Sequence, residues 1–166
     1  MTVISTNKDV DNLTFTIVAE FDAGPEAVWQ VWENPRLLER WRGPPTWPAT
    51  FEKLEFAPGG DARYYMSGPD GEKARGWWKI VSMDAPRRFA FDDGFAGDDG
   101  KPLDPDDTTR CEVTLAEDGN VTRMTSVTTF RSAEQLEQMV EMGMEEGTIG
   151  AMGQIDAVLA DVRVGS

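Results

Sequence analysis

The sequence predicts an α+β fold. A curved antiparallel sheet of about six or seven strands wraps around one long C-terminal helix, with two short helices after the first strand. Three observations lead there. Short stretches of alternating apolar and polar residues, rich in β-branched and aromatic side chains, recur between residues 47 and 130. Glycine, proline, aspartate and asparagine punctuate them in short turns, so neighbouring strands pair antiparallel. The proline-free segment 132–161 then carries apolar residues at helical spacing, long enough to cover a sheet face.

Taken in order, 13–21 (LTFTIVAEF) alternates, with Leu13, Phe15 and Ile17 on one face of a half-buried strand. GPEAVWQVWENP follows. Pro25 lies in a first helical turn, where its missing N–H does little harm. Val28, Trp29 and Trp32, then Leu37, Leu38 and Trp41, mark two short amphipathic helices broken at Asn34-Pro35. Gly43-Pro44-Pro45 is a loop. Strands are expected at 47–56, 62–66, 73–83 and 88–91, separated by Pro58-Gly59-Gly60, Gly68-Pro69-Asp70-Gly71 and Asp84-Ala85-Pro86.

Residues 92–107 hold seven aspartates, three glycines and two prolines, which reads as a solvated loop. Carboxylates suit calcium, but DDGFAGDDGKPLDPDD lacks the ligand order and closing glutamate of a calcium loop. Strands at 108–115 and 121–130 flank the turn Asp118-Gly119-Asn120.

Ser132 and Gln135 have capping-box spacing at the start of the final helix. Its apolar face runs through Leu136, Val140, Ala151, Ile155, Val158 and Leu159, and its polar face carries Gln138, Glu145 and Asp156. Gly143, Gly147 and Gly150 share a face, although each glycine within a helix costs about 0.5–1 kcal/mol relative to alanine. Two readings stand: close packing against the sheet, or room for a guest. Met139, Met142, Met144 and Met152 are gap-fillers or an adaptable cavity wall.

Composition narrows the chemistry. The 166 residues suit one domain, 1–166, with its core at about 13–161. A chain of this length buries about 70% of its unfolded surface and needs no staple. The net charge of −14 argues against nucleic acid and anionic membranes as partners. There is no histidine and one cysteine, Cys111. A Ser-His-Asp or Cys-His nucleophile and a thiolate–imidazole zinc site are therefore excluded within one chain. No metal and no cofactor is expected. The N-terminus lacks a secretory pattern and no apolar run reaches membrane-spanning length, so the expectation is a cytoplasmic protein, monomer or homodimer.

FDAGPEAVWQVWENPRLLERWRGP, FAPGGDARYYMSGPDGE, RGWWKIVSMDAPRRFAF, DDGKPL and MEEGTIGAMGQIDAVLAD together resemble the helix-grip superfamily known as SRPBCC, or START/Bet v allergen-like. The branch they resemble most is named after the activator of the ninety-kDa heat-shock-protein ATPase. The resemblance runs from about Leu13 to Leu159. It implies a sheet gripping the C-terminal helix around an interior cavity. The superfamily includes lipid and hormone binders, polyketide cyclases and aromatases, and cochaperone domains.

Strand periodicity then suggests the cavity side. Ala62, Tyr64 and Met66 share a face, as do Trp78 and Ile80, Phe89 and Phe91, and Cys111, Val113 and Leu115. Met124, Ser126, Thr128 and Phe130 share another, so the Ser126 and Thr128 hydroxyls anchor a ligand or bond locally. Trp41 and Trp47 flank the Gly-Pro-Pro loop near the expected mouth. The candidate ligand-binding set is Trp41, Trp47, Tyr64, Met66, Trp78, Phe91, Ser126, Thr128, Val140, Gly143, Met144 and Gly147. Tyr64 is the catalytic candidate, since an inward phenol can hold an oxyanion or protonate an enolate. The leading expectation is a non-catalytic binder of a small apolar or aromatic, lipid- or polyketide-like molecule. The alternatives are a cyclase- or dehydratase-like enzyme, and a protein whose acidic surface meets a chaperone or other basic partner.

Overall fold

In a computed structural model, residues 3–104 and 107–165 are described. Eight antiparallel strands form one sheet: β1 (Val3–Asp9), β2 (Thr14–Phe21), β3 (Ala49–Leu54), β4 (Asp61–Ser67), β5 (Lys73–Asp84), β6 (Arg88–Phe95), β7 (Thr108–Asp118) and β8 (Val121–Thr129). Their order across the sheet is β1-β2-β8-β7-β6-β5-β4-β3. Helices α1 (Pro25–Glu33) and α2 (Pro35–Leu38) link β2 to β3. The C-terminal segment carries α3 (Ala133–Glu141), α4 (Met144–Met152) and α5 (Ile155–Gly165). This is the helix-grip arrangement.

Two departures from the sequence expectation shape the site. First, β6 does not stop at Phe91 but runs on to Phe95, taking Asp92 and Asp93 out of the expected loop. Asp93 pairs with Trp78 on β5 and Thr109 on β7, so both neighbours hold it in the ladder. Second, the C-terminal helix is divided into three. Met142 closes α3, and Gly143 follows in the left-handed region at φ +84°, where a Cβ would be strained. The chain breaks again at Gly153, between α4 and α5. The added edge strand β1 extends the sheet beyond β2.

The Ser132 hydroxyl caps α3 by accepting the Gln135 N–H at 3.1 Å. The Gln135 side chain reaches one residue further back than a simple capping box, accepting from the Arg131 N–H at 2.7 Å, and its amide donates to Asp107 at 2.9 Å. One side chain thus ties the helix start to the entry of β7.

The core lies between the sheet's inner face, α1 and α5, with Trp32, Trp41, Trp78, Phe21, Phe89 and Phe91 fully buried. Burying each such side chain contributes about 1.5–3 kcal/mol. The Trp41 indole N–H donates to the Val31 carbonyl at 2.8 Å, and the Trp32 N–H to Met124 Sδ at 3.4 Å, so both large rings are buried with their polar atoms satisfied. Among the described residues no helix is long and apolar enough to cross a membrane.

Candidate ligand cavity

A cavity of about 200 Å³ lies between the inner face of the sheet and the first two C-terminal helices. Its floor comes from β2 (Phe15, Ile17), β7 (Cys111) and β8 (Ser126, Thr128). Phe130, Met139, Met144, Thr148 and Met152 close it from the helical side. These walls are largely apolar. Alternation in the strands produces them: every second residue of β2 and β8 turns inward.

Polar groups gather where β4 and β6 contribute Tyr64 and Asp93 and the loop after α2 contributes Arg42. The Tyr64 hydroxyl donates to Asp93 Oδ1 at 2.8 Å. Arg42 Nη2 stands 3.7 Å from Asp93 Oδ2, an ion pair too wide for a charge-assisted hydrogen bond of about 2.7–2.9 Å. The guanidinium lies 5.2 Å from the Trp78 ring centre, 5.8 Å from Trp32 and 6.0 Å from Phe91, within cation–π range of all three. Gln154 fixes the backbone on either side of Arg42: its amide donates to the Gly43 carbonyl at 2.7 Å and to the Trp41 carbonyl at 3.4 Å.

Gly76 makes room for the phenol. It sits opposite Tyr64 in the β4–β5 register, and a Cβ there would run into the Tyr64 ring and hydroxyl. Tyr64 therefore reaches across β5 to Asp93.

Burial controls the protonation of these groups. It raises the Tyr64 phenol well above its ordinary pKa, and the charge of Asp93 raises it further. The phenol is thus a donor at neutral pH. The Asp93 carboxyl is also raised, chiefly by burial, while Arg42 and the Tyr64 hydrogen bond pull it back down. Burial raises the Cys111 thiol, whose Sγ lies 3.3 Å from Ser126 Oγ. A neutral, buried thiol is a weak nucleophile.

Of the sequence-derived candidates, Tyr64, Ser126, Thr128 and Met144 line this cavity. The others lie outside its lining. Trp41, Trp78 and Phe91 are fully buried beneath it because the core claims their rings, and Trp78 and Phe91 form the surface under Arg42. Trp47 covers Gly68, leaving no space for a side chain there. Met66 is half-buried near the end of β4. Val140 faces a separate groove with Lys8, Val10 and Leu136. Gly143 serves the helix break, and the Gly147 Cβ position meets open space. Gly150 alone of the three glycines faces another segment: a Cβ added there would lie 3.8 Å from Pro45.

Arg42 and Asp93 were not among the candidates. Asp93 had a signal: Phe89 and Phe91 face inward, and the same period of two reaches residue 93. The run of aspartates masked it. Arg42 had none, because its direction depends on the loop held by Gln154.

The sequence profile of a family described as activator of Hsp90 ATPase homolog 1-like protein matches residues 22–160. The chain belongs to that family. A protein from Arthrobacter aurescens, solved by solution NMR, is 57% identical over 96% of this chain and 93% of its own, with a TM-score of 0.91. The crystal structure of a Mycobacterium smegmatis protein is 43% identical over 96% and 99%, with a TM-score of 0.88. A Rhodobacter sphaeroides protein at 19% identity and TM-score 0.79, covering 96% of this chain and 97% of its own, shares the fold. No curated protein matches the chain. Family and fold together support a ligand-binding type of helix-grip protein.

Proposed function

We propose that this protein binds one small, largely apolar or aromatic molecule in its interior. The observation that carries the reading is the cavity of about 200 Å³, walled largely by phenylalanine, isoleucine and methionine side chains, with Ser126, Thr128 and Thr148 hydroxyls along it and the charged groups Arg42 and Asp93 meeting Tyr64 at one end. Its size bounds the guest. A dry apolar cavity of about 150 Å³ is enough for benzene, so this one suits one ring or two small ones. A long acyl chain would require the helical wall to open.

A library of small aromatic and alicyclic compounds, screened by native mass spectrometry and thermal shift, tests the reading. A ligand at about a hundred times its Kd adds about 2.7 kcal/mol. For a domain of this size that raises Tm by roughly 5–10 °C. A screen with no one-to-one complex and no shift overturns the reading.

One observation favours a second reading, acid–base catalysis on an enolisable carbonyl of the polyketide type. Asp93 and Tyr64 share a hydrogen bond at the cavity wall, so a carboxylate that could take a proton adjoins a phenol that could hold an oxyanion. Under it, Tyr64→Phe lowers turnover while binding persists; unchanged turnover removes Tyr64 from the chemistry.

A further inference from the structure

The binding reading leaves open which head group the polar end accepts. We infer that the Arg42–Asp93 pair selects an uncharged head group with a hydrogen-bond donor and an acceptor on neighbouring atoms, such as a carboxamide or a hydroxy-ketone. This rests on the cavity being a ligand site.

The geometry supplies three arguments. The pair is open: at 3.7 Å, Arg42 Nη2 and Asp93 Oδ2 face one another without a close hydrogen bond, and both residues line the cavity. One atom therefore has a carboxylate to donate to, and its neighbour a guanidinium to accept from. The donor side is also under-used, because Arg42 Nε is buried without a hydrogen-bond partner. Asp93 Oδ1 already accepts from Tyr64, so Oδ2, 3.7 Å from Arg42 Nη2, is the oxygen with capacity to accept from a guest.

Charge decides among head groups. Arg42 and Asp93 carry opposite unit charges, so the pair presents a dipole and no net charge; the other carboxylate of the lining, Asp107, is exposed to solvent and accepts from the Gln135 amide. A carboxylate gains from Arg42 and is repelled by Asp93 at nearly the same distance. An ammonium group gains from Asp93 and is repelled by Arg42. Each ion must also leave water for a mostly apolar cavity, which a neutral group does at much lower cost. A neutral group with both functions satisfies both residues without that penalty. A purely apolar group leaves the donor and acceptor as they are.

Four probes of nearly one shape separate the possibilities: benzamide, benzoate, benzylammonium and ethylbenzene. Their affinities are measured at pH 7 by isothermal titration calorimetry on the wild-type protein and on Asp93→Asn. The wild type should bind benzamide at least about tenfold more tightly than benzoate or benzylammonium, since a like charge beside the head group is costly. In Asp93→Asn the repelling charge is gone while Arg42 stays, so benzoate binding should strengthen by about tenfold or more. That gain cannot come from a damaged fold. Wild-type protein that takes benzoate or benzylammonium as well as benzamide overturns the inference, and so does Asp93→Asn with no gain for benzoate. Ethylbenzene bound as tightly as benzamide also overturns it while leaving the cavity reading intact. Failure of all four probes overturns both.

Discussion

The Tyr64 hydroxyl donates to Asp93 Oδ1 at 2.8 Å, and the bond spans β5, the strand between theirs. It is possible because Gly76, opposite Tyr64, has no side chain to block the phenol. The polar cluster of Arg42, Tyr64 and Asp93 at the cavity wall is thus built around a missing methyl group.

Tyr64→Phe should remove the donor and leave Asp93 Oδ1 with one fewer partner. The expected cost is about 1–3 kcal/mol. At roughly 2–4 °C per kcal/mol, Tm falls by several degrees. Melts followed by circular dichroism check this; an unchanged Tm would mean that the bond adds nothing to the fold.

Gly76→Ala should force the Tyr64 ring aside and cost about 1–3 kcal/mol as an overpacked contact. In a Tyr64→Ala background the added methyl has space, so most of that cost should vanish. A double-mutant cycle measures the coupling. Equal losses in both backgrounds would place the strain elsewhere.

Gly143, at the helix break, and Gly147, within α4, should respond in opposite directions. Gly143 is left-handed at φ +84°, so Gly143→Ala should destabilise by about 1–2 kcal/mol. The Cβ position of Gly147 meets no heavy atom within 4 Å, so Gly147→Ala should stabilise by about 0.5–1 kcal/mol. Urea denaturation of both variants tests the pair, and the same sign for both would contradict the helix break.

Stability should depend on pH through Asp93. Its folded pKa is raised, so the folded state holds this proton more tightly than the unfolded state. The contribution is complete below the ordinary aspartate range and is lost as pH rises through the raised value. Wild type should therefore gain stability relative to Asp93→Asn as pH falls from 7 toward 4. Parallel pH profiles for the two proteins would show that Asp93 is not perturbed.

Much of the fold was legible because its signals are local. Period-two alternation marks the inward faces of β4 to β8, and glycine and proline mark their turns. The cavity was less legible. Trp41, Trp78 and Phe91 have the chemistry of a lining but are consumed by the core, a distinction that depends on depth. Asp93 sits in a stretch whose composition reads as loop, although its ladder partners hold it in a strand. Arg42 is aimed by Gln154, more than a hundred residues away in the chain. The division at Gly143 was hidden because glycine spacing fits a packed helix as well as a broken one.

Function as a binder requires a guest to enter between the sheet and the helical wall. Titration of methyl-labelled protein with benzamide, followed in ¹H–¹³C spectra, tests this directly. The Met139, Met144 and Met152 methyl groups should shift together and saturate, because these side chains line the cavity. Met142, at the end of α3, is 67% exposed and outside the lining, and should not move. Shifts confined to Met142, or none that saturate at the three cavity methionines, would contradict the account.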